Sequence, residues 1–130
     1  MSKEFVRKWY NGIPPVERNL PILLHNGKVY TPNEIYNEVM KGTKLGEELQ
    51  MKLERLSASH SFTIDDLKEV NYLAELRVEE VLKNLPNDII LTAIGGGESR
   101  FYRPSDIKNT DLYKKALEEE KKKVIKLLRG

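Results

Sequence analysis

Three stretches of this sequence place cations beside flat aromatic rings. Near the start, "RKWY" supplies Arg7, Lys8, Trp9 and Tyr10. "GKVY" supplies Lys28 and Tyr30, and "SRFYR" supplies Arg100, Tyr102 and Arg103. Such pairs suit single-stranded nucleic acid. Unstacked bases rest on aromatic faces, at about 1–3 kcal/mol per base, while basic groups hold the phosphates. Displaced counterions then add a salt-dependent, sequence-independent drive to bind. Strand alternation puts Arg100 and Tyr102 on one face, with Ser99, Phe101 and Arg103 on the other. Taken singly, each of these residues also fits a solvated cation or an aromatic at the edge of a core.

Other chemistries find less support. "GGGESR" at 95–100 lacks the Lys-Ser/Thr pair of a phosphate-binding loop, and Arg100 stands where a dinucleotide-binding turn needs its last glycine. The glycines are expected to form a hairpin turn. His25 and His60 are the only histidines and sit in unrelated contexts. The acidic residues fall mostly at the spacings of a solvated helix face, and no metalloprotease motif or nucleophile elbow is present. The chain therefore reads as non-enzymatic, with no metal site and no cofactor.

These residues need elements to aim them. "PILLHNGKVY" predicts a hairpin about Asn26-Gly27, the pair favoured by a type I′ turn. Its two-residue loop pairs His25 with Lys28, Leu24 with Val29 and Leu23 with Tyr30. Ile22, Leu24 and Val29 then share the apolar face, leaving Leu23, His25, Lys28 and Tyr30 on the other. "TPNE" at 31–34 reads as a capping box opening a helix that ends at Gly42. A second helix starts near Thr43 or Lys44, with Leu45, Leu49, Leu53 and Leu56 inward. Thr63 caps a third, whose expected stripe is Leu67, Val70, Ala74, Val78, Val81 and Leu85, with Pro86 as its end. "DIILTAI" and "SRFYR" predict a second hairpin. A final helix over 111–129 carries Tyr113, Leu117, Val124, Leu127 and Leu128 on one side, interrupted by Glu120.

The economical assembly is α+β: two hairpins forming a largely antiparallel four-stranded sheet packed on helices. Residues 1–108 would form the nucleic-acid-binding domain. Residues 109–130 would form an oligomerisation helix, because a narrow apolar stripe with charged flanks suits pairing between chains. The bland alternative is that this helix docks on its own domain.

Composition sets bounds on all of this. A chain of 130 residues, 39% of them apolar, has room for one core. It has no cysteine, no run of the roughly 18 apolar residues that span a membrane, and no secretory h-region, so a cytoplasmic setting is expected. Lys and Glu are interleaved, a composition compatible with heat adaptation. Net charge is only +2. Yet basic residues outnumber acidic ones near both ends, and residues 31–85 are acidic.

The order of elements, with "NGKVYTPNEI" at 26–35 and "SRFYRP" at 99–104, resembles the ThermoDBP-type archaeal single-stranded DNA-binding proteins. That resemblance implies an N-terminal α/β domain holding single strands in a cleft with basic edges, and a C-terminal helix that assembles subunits. The expectation is a sequence-tolerant binder of single-stranded DNA, with RNA left open, that self-associates as a dimer or tetramer. The alternative is a helical interaction or scaffold protein acting through its C-terminal helix. A duplex-DNA regulator fits less well, because Asp65, Asp66, Glu69, Glu75, Glu79 and Glu80 would face phosphates from the third helix.

Overall fold

The structure, a computed structural model, describes residues 3–58, 62–84, 91–95, 98–102 and 111–130, with backbone alone for 91–95 and 98–102. Helix α1 (Lys3–Asn11) and a single 3-10 turn (Pro15–Glu17) lead into a hairpin of β1 (Leu23–His25) and β2 (Lys28–Tyr30). Helices α2 (Pro32–Lys41), α3 (Lys44–Ala58) and α4 (Ile64–Asn84) follow. A second hairpin, β3 (Leu91–Gly95) and β4 (Glu98–Tyr102), precedes α5 (Asp111–Arg129).

The local signals act as the residues dictate. Asn26 and Gly27 both take positive φ, 50° and 77°, and the turn enforces the pairs Leu23–Tyr30, Leu24–Val29 and His25–Lys28. Thr31 Oγ1 accepts from the Glu34 amide at 3.2 Å while Glu34 accepts from the Thr31 amide at 2.9 Å. Gly42, at φ 72°, closes α2 in the left-handed region. Immediately beyond it, α3 crosses α2 so closely that a Cβ on Gly46 would run into the Glu38 backbone carbonyl.

The four-stranded sheet is not formed, and this corrects the expected fold class. Each hairpin is a separate two-stranded antiparallel sheet, and the described chain is mostly helical, with five helices. A physical reason lies at the exposed edge of β1. Strand pairing there would need free backbone groups, but Lys52 of α3 donates its ammonium to the Leu24 carbonyl and pairs with Glu69 of α4 at 2.7 Å. Helices thus occupy the place of further strands. The faces of the first hairpin also differ from expectation. Leu23 and Tyr30 are buried, whereas Leu24 and Val29 are only half-buried. The tyrosine ring has the larger apolar area to remove from water, and it goes inward.

One core receives residues from the first hairpin and all five helices. Val6 and Trp9 of α1, Ile35 and Val39 of α2, and Leu49, Leu53 and Leu56 of α3 meet Val70 and Leu73 of α4 and Val124 and Leu128 of α5. Ile13, Ile22, Leu23 and Tyr30 complete it. Val70, Ala74 and Val78 of the expected α4 stripe are buried, but the stripe is wider on one side and shorter at its ends. Leu67 and Val81 are exposed, while Leu73 and Arg77 are buried. Leu85 and Pro86 lie outside the described residues.

Arg77 is fully buried and carries the tightest polar cluster of the core. Its Nη1 donates to the Pro21 carbonyl at 3.0 Å, and its Nη2 bonds the Glu17 carboxylate. Glu120 of α5 brings a second carboxylate to 3.8 Å from Nε. Lys123 stands 3.7 Å from both carboxylates, so two cations face two anions. Glu120, an interruption in an apolar stripe when read alone, is a counter-charge for Arg77.

Truncating one member of such a cluster leaves buried charge uncompensated. Arg77→Ala should therefore lower unfolding free energy by about 3–5 kcal/mol in urea titrations.

Helix α4 opens on a capping box of Thr63 and Asp66. The Asp66 amide donates to Thr63 Oγ1 at 3.0 Å, and the Thr63 amide donates to Asp66 at 3.1 Å. Arg55 grips both carboxylate oxygens of Asp66 at 3.1 and 3.3 Å. The Arg55 hydrogen bond, helped by Thr63 and opposed by burial, holds the Asp66 carboxyl below its ordinary value. The folded state thus favours the ionised form. Its stabilisation is complete above the unfolded value of about 4 and is lost as pH falls through the lower folded value. Melting temperature should fall as pH drops below about 4, and Asp66→Asn should flatten part of that fall in a thermal-melt series.

Candidate functional site

The run Arg7-Lys8-Trp9-Tyr10 lies on α1, and helical periodicity sends its members to different neighbours. Arg7 and Tyr10 meet α2. Arg7 pairs with Glu4 at 2.9 Å and reaches the Met40 sulfur at 3.8 Å. Tyr10 stacks on Tyr36 with ring centres 4.4 Å apart, and the Arg18 guanidinium lies 4.5 Å from its centre. Its hydroxyl bonds Asn33, which in turn donates to Asn19 at 2.6 Å. Tyr10 therefore belongs to a packed Arg-Tyr-Tyr stack, not to an open platform.

Trp9 points the other way, toward α5. It is only 6% exposed, and its indole N–H donates to the Leu127 carbonyl at 2.7 Å. That carbonyl is in the last turn of α5, where it also accepts from the Gly130 amide at 3.3 Å. Ser57 Oγ likewise donates to the Arg129 carbonyl at 3.2 Å. The C-terminal end of α5 is thus capped by α1 and α3 of the same chain.

The residues expected to join subunits are placed accordingly. Val124 and Leu128 are buried in the chain's own core, and Leu117 and Leu127 are half-buried. Tyr113 is half-buried beside α4. Burial, then the charges of Glu75 and Glu79, push its hydroxyl above the ordinary value. The apolar side of α5 is used within the chain, by the docking that the sequence offered as the bland alternative.

The remaining expected contacts are scattered. Lys28 is exposed with its ammonium 5.3 Å from the Tyr30 ring centre, but Tyr30 is 6% exposed and has no free face of any size. On the second hairpin, Ala93 pairs with Arg100 and Leu91 with Tyr102. The side chains of Arg100 and Tyr102, and Arg103 altogether, lie outside the described residues, as does His60.

What the structure does bring together is a groove of about 440 Å³ between α1 and the last turn of α5. Its lining is mainly apolar: Phe5 and Leu127 are half-buried, and Trp9 and Ile13 are buried. Lys8 of α1 and Lys126 of α5, both exposed, also line it. Gly12 lines both this groove and an adjoining hollow of about 260 Å³, where Lys126 is joined by Lys123 and its partner Glu17. The arrangement can hold a flat apolar group against the helices while ammonium groups meet an attached anion. Of these residues, sequence reasoning named Lys8, Trp9 and Leu127 and missed Phe5, Gly12, Ile13, Lys123 and Lys126. The signal available was Phe5, Trp9 and Ile13 at i, i+4, i+8, the spacing of a helix face running past Gly12.

Among the described residues, no group of three or more His, Asp or Glu side chains is placed to hold a metal ion, and no helix is long and apolar enough to cross a membrane. The chain matches no protein-family model, no curated protein and no solved structure.

Removing the indole donor isolates its contribution to holding α5. Trp9→Phe should lower stability by about 1 kcal/mol in denaturant titrations, from the lost hydrogen bond, while leaving helix content by circular dichroism unchanged.

Proposed function

We propose that this protein is a non-enzymatic, sequence-tolerant binder of single-stranded DNA, and that the α1–α5 groove is its contact surface. The observation that carries this reading is the apolar groove bordered by Lys8 and Lys126. A single strand presents alternating apolar base faces and phosphates, and this surface presents an apolar floor beside ammonium groups. A duplex hides its base faces and so offers this floor nothing. Lysine suits such a role as a point charge that holds phosphate without imposing a fixed geometry. Among the described residues, Ser57 and the two lysines are the polar side chains of the lining, which fits sequence tolerance.

The reading differs in place from the one the sequence suggested. An open, aromatic sheet face is not part of it, since Tyr30 is buried in the core. A scaffold role through α5 draws less support, because Val124 and Leu128 are already packed inside the chain.

The test is titration of labelled single-stranded and duplex oligonucleotides at two salt concentrations. Single strands should bind more tightly, and affinity should fall as salt rises. Lys8→Ala and Lys126→Ala should each weaken binding evenly across sequences and lower the salt slope by about one. Absence of single-strand binding at low salt would overturn the proposal.

A further inference from the structure

Resting on that reading, we infer that the strand leaves the groove along the outer face of α5. Its phosphates are held first by Lys126 and then by Lys122, and the track ends at Glu118 and Glu119. Charge order on the helix comes first. The last turns of α5 carry Lys121, Lys122, Lys123, Lys126 and Arg129 and no acidic side chain, whereas the turn before them carries Glu118, Glu119 and Glu120. Partners then sort the cations. Lys123 is committed to Glu17 and Glu120, each at 3.7 Å, and Lys121 pairs with Glu118 at 3.0 Å. The Arg129 guanidinium lies 5.3 Å from the centre of the Phe62 ring. Among the described residues, Lys126 is exposed and pairs with no carboxylate. Lys122 reaches Glu119 only at 3.9 Å, with both side chains largely exposed. An exposed pair of that kind contributes about 0–1 kcal/mol and is screened by salt, so a phosphate can take the ammonium over.

Geometry comes second. Lys122 and Lys126 are four residues apart, so they share one side of α5 and stand about 6 Å apart along its axis. Flexible lysine stems can bring that spacing to successive phosphates of one strand. Lys126 also lines the groove, across from Lys8 of α1, which makes the track continuous with the contact surface already proposed. A helix C-terminus ordinarily disfavours anions, because its last carbonyls carry partial negative charge. Here that charge is muted. The Leu127 carbonyl accepts from Trp9 and from the Gly130 amide, the Lys126 carbonyl from the Gly130 amide, and the Arg129 carbonyl from Ser57. Cationic side chains, rather than open carbonyls, dominate this end of α5. Lys115 is equally exposed and lies on the same side, two turns back from Lys122. Glu118 and Glu119 stand between them and repel phosphate, so Lys115 is outside the track.

That difference between two surface lysines gives the test. The full-length protein is titrated with labelled oligothymidylate over a range of salt. Contacts from Lys8, Lys126 and Lys122 predict a slope of log affinity against log salt of about −2, at about −0.7 per phosphate held. Lys122→Ala should remove one contact's share of that slope and weaken binding roughly 5- to 10-fold at low salt. Lys115→Ala should change neither. Glu119→Gln, which takes away both the barrier and the partner of Lys122, should tighten binding. All three side chains are exposed, so the variants keep the fold. Equal losses from Lys115→Ala and Lys122→Ala would reveal a diffuse cationic surface and overturn the track. Wild-type affinity in Lys122→Ala would overturn it too, and in both cases the groove stands as the contact surface. If the wild type binds no single strand at low salt, the proposed function fails along with the track.

Discussion

A guanidinium group buried in a small core constrains everything around it. A guanidinium is a permanent charge, so a buried one, here Arg77, must be matched in place. The chain answers from three distant segments: the Pro21 carbonyl ahead of β1, Glu17 on the 3-10 turn and Glu120 on α5. Removing both carboxylates would leave an unpaired ion in a low-dielectric interior, at several kcal/mol. Apolar replacement of the whole cluster would stabilise a core as well or better. What the cluster adds is a link from α4 to both the 3-10 turn and α5.

The groove follows from that placement. With Glu120 tied to Arg77, the last turn of α5 arrives alongside α1, where the Trp9 indole and Ser57 hydroxyl satisfy its carbonyls. The gap left between the two helices is the lysine-bordered groove. Lys123 belongs to both features, since it neutralises Glu17 and Glu120 and lies where the groove opens outward. Electrostatic order inside the core and positive charge at the surface are thus linked through one side chain. Exposed lysines contribute little to folding, which leaves Lys8 and Lys126 free of a structural role.

Local rules made much of the chain legible. The Asn26-Gly27 turn, the Thr31 and Thr63 caps and Gly42 each depend on a few neighbouring residues, and each formed as its chemistry requires. What depends on distant partners was not legible. On α4, Val70, Ala74 and Val78 are buried as their spacing predicts, but Leu67 and Val81 stay exposed and Leu73 and Arg77 go inward instead. The burial of Arg77 depends on the carboxylates of Glu17 and Glu120, far away in sequence. Tyr30 likewise turned inward because helices, not strands, flank its hairpin. The short α1 was missed because its charges obscure a face made of Val6, Trp9 and Ile13. Of the candidate site, Lys8 and Trp9 were visible beforehand, but Lys126 and Gly12 gain meaning only once α5 lies beside α1.

The central claim is that α5 completes the core of its own chain through the Arg77 cluster. Amide hydrogen exchange, measured at low and high protein concentration, tests this most directly. Intramolecular docking predicts strong protection of the amides around Val124 to Leu128, with rates that do not change on dilution. Fast exchange of that segment in dilute protein, slowing only as concentration rises, would show that α5 finds its partner surface on another molecule and would contradict the account.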